Sequence, residues 1–195
     1  MYLLLLCSLT VAAIAIDRFL LYRRASQGAR ALEADVAAAL RKKKLDEVAP
    51  AVKGKDNMVA HLIQSAVDAR AAGEDVPMTL EAVYGEAAML LRARLNYLST
   101  IVTLAPLLGL LGTISGMIQS FSVFNLQAGQ PMAITGGIGE ALIATATGLL
   151  VAIFALVVHT YFAQRMDTML TLLEKTMNTL LAGFAANDGG HSHAS

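Results

Sequence analysis

The chain has 195 residues, 56% hydrophobic and only 15% charged, against about 25% charged in an ordinary soluble domain. Fifteen Lys and Arg balance fifteen Asp and Glu, so no basic field points to nucleic acid and no acidic excess points to disorder. Cys7 is the single cysteine, which excludes an intrachain disulfide framework and a Cys-based zinc site. What remains is a membrane protein or an unusually apolar helical assembly.

The first apolar run, Tyr2–Ile16, is uncharged but short of the roughly 20 residues that cross a bilayer as helix. It reaches spanning length when Asp17 and Arg18 lie at the interface and Phe19–Tyr22 extends it. Ala13-Ile14-Ala15 resembles a signal-peptide cleavage site. Against that reading, no Lys or Arg precedes the run, and the apolar residues resume after Arg18. A first transmembrane helix over about 2–22 is expected, within a segment 1–23.

Residues 24–97 hold most of the charge and predict a folded helical region. Stretches 30–49 and 56–72 are rich in Ala, Leu and Lys, all good helix formers. Pro50, Gly54 and Gly73 punctuate them. Pro77 suits the first turn of a helix, which the pattern continues from about 78 into the next apolar span. The run Arg41-Lys42-Lys43-Lys44 offers an anionic-lipid contact, but Asp46 and Glu47 follow directly, and a solvated helical face is the plainer reading.

No Asp, Glu, Lys or Arg occurs from Leu95 to Gly139; Glu140 then stands alone until Arg165. Two further transmembrane helices are predicted, over 98–124 and 133–161, joined by a loop 125–132. The third continues as a helix over 162–186. There Leu170, Leu173, Met177, Leu180, Leu181 and Phe184 share one face at helical spacing, as a packed core does. A tail, 187–195, rich in Gly, Ser and His, is expected to be disordered, which outweighs weak metal binding by His191 and His193.

Orientation follows the placement of arginine. Arg18, Arg23 and Arg24 follow the first span, Arg92 and Arg94 precede the second, Arg165 follows the third, and the loop 125–132 has no charge. The N-terminus and loop 125–132 are therefore expected outside, with 24–97 and the C-terminus in the cytoplasm.

Gly109, Gly112 and Gly116 recur at three- and four-residue spacing in the second span, and Gly148 lies in the third. Small residues let helix backbones approach closely in lipid. Pro106 removes a backbone donor. Thr113, Ser115 and Ser120 bring hydroxyls into the second span, and Thr145 and Thr147 into the third. Back-bonding to the preceding turn is the bland account of each. Thr145 and Thr147 lie about 200° apart on a helix, so one is expected to face an assembly axis and the other a packed neighbour. Glu140 has two open readings: an intramembrane functional carboxylate, or an interfacial group beside the Gly-rich entry. Hydroxyls and a carboxylate in the membrane call for a helix-lined pathway or an oligomer interface. No Ser–His–Asp grouping or phosphate-binding loop accompanies them, so no enzyme and no cofactor are expected.

Ala105-Pro-Leu-Leu-Gly-Leu-Leu-Gly-Thr113-Ile-Ser-Gly-Met117 resembles the second-helix signature of the MotA/TolQ/ExbB proton-channel family. Gly137-Ile-Gly-Glu140-Ala-Leu-Ile-Ala-Thr145-Ala-Thr-Gly-Leu-Leu-Val-Ala-Ile153 resembles the third, and Asp17-Arg18 resembles the acidic–Arg pair at the inner end of the first. The resemblance is to the ExbB/TolQ branch, strong over about 97–167 and architectural elsewhere. It implies an all-α membrane protein of three spans, with the second and third helices extended into the cytoplasm. It also implies a homopentameric helical pore in the bacterial inner membrane, threaded by a dimer of single-span ExbD/TolR-like partners. Thr113 and Thr145 would then face the lumen, with Thr145 the more important, and Glu140 matches the family glutamate. The partner's membrane aspartate would carry protons, and the proton motive force would drive a TonB/TolA-like periplasmic effector, with TonB-type transport the leading process. Phe154 stands where the family often has Pro, and His159-Thr160 where it often has Tyr-Asn, so the third helix is expected to run straighter and His159 to sit near the inner mouth beside Tyr161. A purely structural membrane scaffold and a sodium-driven stator-type channel are the competing readings.

Overall fold

The computed structural model describes the backbone of residues 2–42, 48–126 and 131–191, and their side chains except at 123–126, 131–135 and 188–191. Among these residues it is all-α, with seven helices: α1 (Tyr2–Ser26), α2 (Ala29–Arg41), α3 (Val48–Val52), α4 (Met58–Ala72), α5 (Val76–Arg92), α6 (Leu95–Leu126) and α7 (Pro131–His191). Lys43, Lys44, Asp46 and Glu47, residues 127–130 of the loop 125–132, and His193 fall outside the described residues, as does the His191 side chain. Three helical stretches are long and apolar enough to cross a membrane.

Local chemistry sets most of the boundaries. Gly28 and Gly73 adopt left-handed backbone after α1 and α4 (φ 70° and 73°), a conformation glycine takes without a Cβ penalty. The Asn57 side chain accepts from the Ala60 amide at 2.8 Å and caps α4. Asp75 accepts from the Met78 amide at 3.0 Å and caps α5, with Pro77 in the first turn. α7 runs 61 residues without a break, past Phe154, where the sequence has no proline to interrupt it.

One boundary departs from the sequence pattern. The helix expected to run from about 78 into the second span is interrupted at Ala93 and Arg94. Ala93 has ψ 140°, and Arg94 has φ 67°, the one positive value outside glycine among the described residues. A left-handed non-glycine residue costs roughly 1–2 kcal/mol. An ion pair from Arg94 Nη1 to Asp17 Oδ1, at 2.9 Å, accompanies it.

The chain divides into two compact units: Met1–Arg18 with Arg94–Ala163, and Phe19–Ala93 with Gln164–Ser195. In the second unit the core is aliphatic: Leu32, Val36, Leu62, Ile63, Leu80, Leu91, Leu173 and Leu180 are buried. From the predicted stripe on α7, Leu170, Leu173, Leu180 and Phe184 are buried, and Met177 and Leu181 half-buried. Buried Glu33 pairs with Lys175 at 3.2 Å, and the Arg70 guanidinium lies 4.7 Å over the Phe184 ring.

The first unit is built differently. α6 and α7 pack through residues that have almost no side chain. A Cβ on Gly109 would meet the Ala144 carbonyl and Thr145 Cα, each at 3.1 Å. One on Gly148 would meet the Ala105 carbonyl at 2.6 Å, one on Gly112 the Ala144 Cβ at 2.8 Å, and one on Gly116 the Ala141 Cβ at 3.0 Å. The large apolar side chains point away from this seam: Leu107, Leu110, Leu111, Ile114 and Ile118 on α6, and Leu142, Ile143, Leu150, Ile153 and Val157 on α7, are all exposed. An exposed apolar belt of this size suits hydrocarbon rather than water.

Gly148→Ala should therefore lower the stability of the α6–α7 hairpin by about 1–3 kcal/mol, the usual scale of overpacking. Gly85→Ala on α5, where a Cβ meets nothing within 4 Å, should be neutral or stabilising by up to roughly 1 kcal/mol. Thermal unfolding of both variants in nanodiscs checks the contrast; equal effects would show that the seam is looser than described.

Candidate ion-pathway site

The small residues on α6 recur as Ala105, Gly109, Gly112, Gly116 and Ser120, and those on α7 as Gly137, Ala141, Ala144, Gly148 and Ala152. Each set begins with the same four, three, four spacing, which keeps one face of a helix in register. The two sets meet antiparallel, from Gly148 against Ala105 and Gly109 to Gly137 against Gly116 and Ser120. Gly109, Gly112, Gly116 and Gly148 thus make their close contacts inside one chain. Half-buried Pro106 lies within α6, next to the Ala105 carbonyl that sits against Gly148. Its ring nitrogen has no hydrogen to give the carbonyl of Val102.

This seam positions the hydroxyls. Thr145 Oγ1 donates across it to the Gly109 carbonyl at 3.1 Å. Glycine at 109 leaves that carbonyl within reach. Three other hydroxyls turn back on their own helices: Thr113 donates to Leu110 O at 2.7 Å, Thr147 to Ile143 O at 2.8 Å, and Ser120 to Gly116 O at 2.8 Å. Thr113, Thr145 and Thr147 are all half-buried, and Ser120 is buried. Thr145 is thus the member of the threonine pair that faces a packed neighbour within the chain. Glu140 lies five residues before Thr145 on α7, about 7–8 Å along the axis, with its side chain exposed. The structure does not bring Glu140 into contact with Thr113 or Thr145.

A second polar grouping sits on α1, nine residues before its C-terminal residue Ser26. Asp17 Oδ2 accepts from Arg18, with both Nε and Nη2 at 3.0 Å, and Asp17 Oδ1 pairs with Arg94. The Arg18 side chain is 5% exposed, against 40% for Asp17 and 53% for Arg94. A buried guanidinium requires a counter-charge, and Asp17 provides it. Arg94 is the member that the sequence pattern did not connect. Its signal was indirect: with the first span ending near Asp17 and the second beginning near Leu95, both charges fall at the same membrane boundary. The α7 half of the seam was legible as well, because Gly137, Ala141, Ala144 and Gly148 repeat the spacing of the α6 set. His159 is half-buried on α7, near the edge-on Tyr161–Phe162 ring pair, whose centroids are 5.2 Å apart. Among the described residues no three metal-ligating side chains converge.

Long apolar helices, a glycine-lined hairpin and hydroxyls inside it define a multi-pass helical membrane protein. A family model described as the MotA/TolQ/ExbB proton channel family matches residues 51–175. The chain belongs to that family. Its relatives place it in the ExbB/TolQ-like branch. It is 55% identical over 65 residues to the putative biopolymer transport protein ExbB-like 1 of Synechocystis sp., covering 31% of this chain and 26% of that one. It is 39% identical over 74 residues to the biopolymer transport protein ExbB of Salmonella typhimurium, covering 37% and 30%. Against the Tol-Pal system protein TolQ of Pseudomonas aeruginosa it is 33% identical over 108 residues, covering 55% and 47%. The chain therefore spans less than half the length of each of these relatives.

Replacing the Thr145 hydroxyl tests its structural weight. Thr145→Val keeps the shape and deletes one interhelical hydrogen bond, a loss of about 0.6 kcal/mol on the average for membrane helices. Thr113→Val, which removes only a bond within α6, should cost less still. Unfolding of the two variants in nanodiscs measures both; a loss of several kcal/mol in Thr145→Val would mean that the seam hinges on this one bond.

Proposed function

We propose that the chain is a channel-forming subunit that uses the proton motive force to energise a periplasmic or outer-membrane process, TonB-type transport first among them. The observation that carries this reading is the glycine-seamed α6–α7 hairpin, with Thr113, Thr145 and Glu140 inside the family-matched stretch. Proton conduction needs a group that titrates. Between Leu95 and Arg165 the chain offers Glu140 as its lone formal charge, and threonine hydroxyls do not titrate in the working range. The carrier is therefore assigned to a single-span ExbD/TolR-like partner with a membrane carboxylate, held as a dimer inside a homopentamer of this chain. Thr113 and Thr145 would offer hydrogen-bonding oxygens along the path, and Glu140 would mark one mouth.

The proposed setting is the bacterial inner membrane, with the N-terminus and the loop 125–132 periplasmic and residues 24–97 and the C-terminus cytoplasmic. The one-sided arginines support it. Cysteines placed singly at His61 and Ala128, in a Cys7→Ser background, test it. In intact spheroplasts an impermeant thiol reagent should label position 128 and spare position 61; the opposite pattern reverses the topology.

A structural scaffold is the second reading, favoured by the Thr145 bond to Gly109, which shows that hydroxyl engaged in packing. Reconstitution with the single-span partner separates the two. Under the channel reading, Thr145→Val assembles as wild type, by native mass spectrometry, and loses most proton flux and effector output. Normal assembly with wild-type flux removes Thr145 from the path and leaves the scaffold reading standing.

A further inference from the structure

In the second unit, α5 leaves one face bare. Met78, Ala82, Gly85 and Met89 recur at four-, three- and four-residue spacing, which holds them in one stripe along the helix. All four are exposed, Met78 by 73% and Met89 by 74%, and a Cβ on Gly85 meets nothing within 4 Å. Glu81 and Glu86, both exposed, flank the stripe, and α5 carries no cation before Arg92. Two glutamates beside the methionines argue against an anionic lipid surface as the cover.

The same unit holds a groove of about 710 Å³ between α2 and α7. Ala37 on α2 and Lys175, Thr179, Ala182 and Ala186 on α7 line it. The four α7 residues repeat the four, three, four spacing of the α5 stripe. Both stripes, 78–89 and 175–186, therefore have the same length, roughly 16 Å at the helical rise. Arg41 lines the groove where α2 ends, and exposed Lys42 follows it. Lys175 is engaged with Glu33, and Glu174 is the groove's one anion.

We propose that these surfaces meet between copies of the chain, the α5 stripe of one copy seating in the α2–α7 groove of the next. The contact rests on the homo-oligomer proposed above and names the surfaces that build it. Small residues in the middle of both stripes let two helices come close, and the methionines at the ends adapt to what they meet. The glutamates bring negative charge to a groove whose α2 side ends in Arg41 and Lys42. Contact of α5 with α5 would instead set glutamates against glutamates. Because the two surfaces differ, the contact is heterologous and repeats from copy to copy, as a ring requires.

Cross-linking of the full chain in membranes tests it. Two differently tagged chains, both Cys7→Ser, are co-expressed, one with Gly85→Cys and the other with Ala182→Cys. A bis-maleimide with a reach of roughly 11 Å, two helical turns, is added. The 85–182 product should exceed the 85–85 and 182–182 products by about fivefold or more, since a heterologous contact pairs unlike positions. Ala82→Trp puts a wedge on the exposed stripe. It should lower the 85–182 product by about fivefold or more, as overpacking of a close contact does, with wild-type helicity by circular dichroism. Native mass spectrometry of the same chains separates the outcomes. An oligomer without the 85–182 product, with an 85–85 product as strong, or with no loss in Ala82→Trp overturns this contact and leaves the homo-oligomer standing. A chain that is monomeric throughout overturns both.

Discussion

The rest of the hairpin depends on how closely the backbones of α6 and α7 approach. Lipid tails are as apolar as leucine, so burial of leucine gives two membrane helices no reason to associate. Close van der Waals contact and interhelical hydrogen bonds supply the attraction, and both require small residues at the contact. The distances at Gly109, Gly112, Gly116 and Gly148 leave no room for a methyl group without movement of a neighbour. The same closeness puts the Gly109 carbonyl within reach of Thr145 and turns the leucines and isoleucines outward.

The second unit rests on the opposite logic. Its core is built from leucine, isoleucine and valine brought together from helices far apart in sequence, and water supplies the driving force. Its polar groups are paired individually, as Glu33 is with Lys175 and Asn57 with the Gln27 carbonyl at 3.2 Å. α7 takes part in both kinds of packing. Its composition shifts from Gly and Ala over 136–148 to Leu and Met over 169–181.

The all-α class and the three apolar stretches were legible in the sequence because hydropathy and helical periodicity are local properties. So was the α7 core stripe, with Leu173 and Leu180 at its centre. Spacing alone marked the glycines for close contact but left the partner open, since one stripe seals equally well within a chain or between chains; the structure assigns these contacts to the α6–α7 seam. The break at Ala93 and Arg94 was not legible, because residues 86–105 contain neither glycine nor proline to mark it. Propensity reports what a segment prefers, and tertiary contacts override it. The direction of the Thr145 hydroxyl was likewise hidden, because a hydroxyl bonds back to its own turn or across a seam depending on what stands opposite.

Each of these hydroxyls has one hydrogen, and in this chain it is already committed: Thr145 to Gly109 O and Thr113 to Leu110 O. What they present to anything arriving from outside is therefore lone pairs. Such an oxygen welcomes a hydrated proton, a metal cation or a neutral carboxylic acid, each of which brings its own positive end. It offers nothing to an ionised carboxylate unless the helix first gives up an internal bond. The seam that holds the hairpin together thereby also fixes the polarity of its threonine oxygens, which meet a neighbour as acceptors and not as donors.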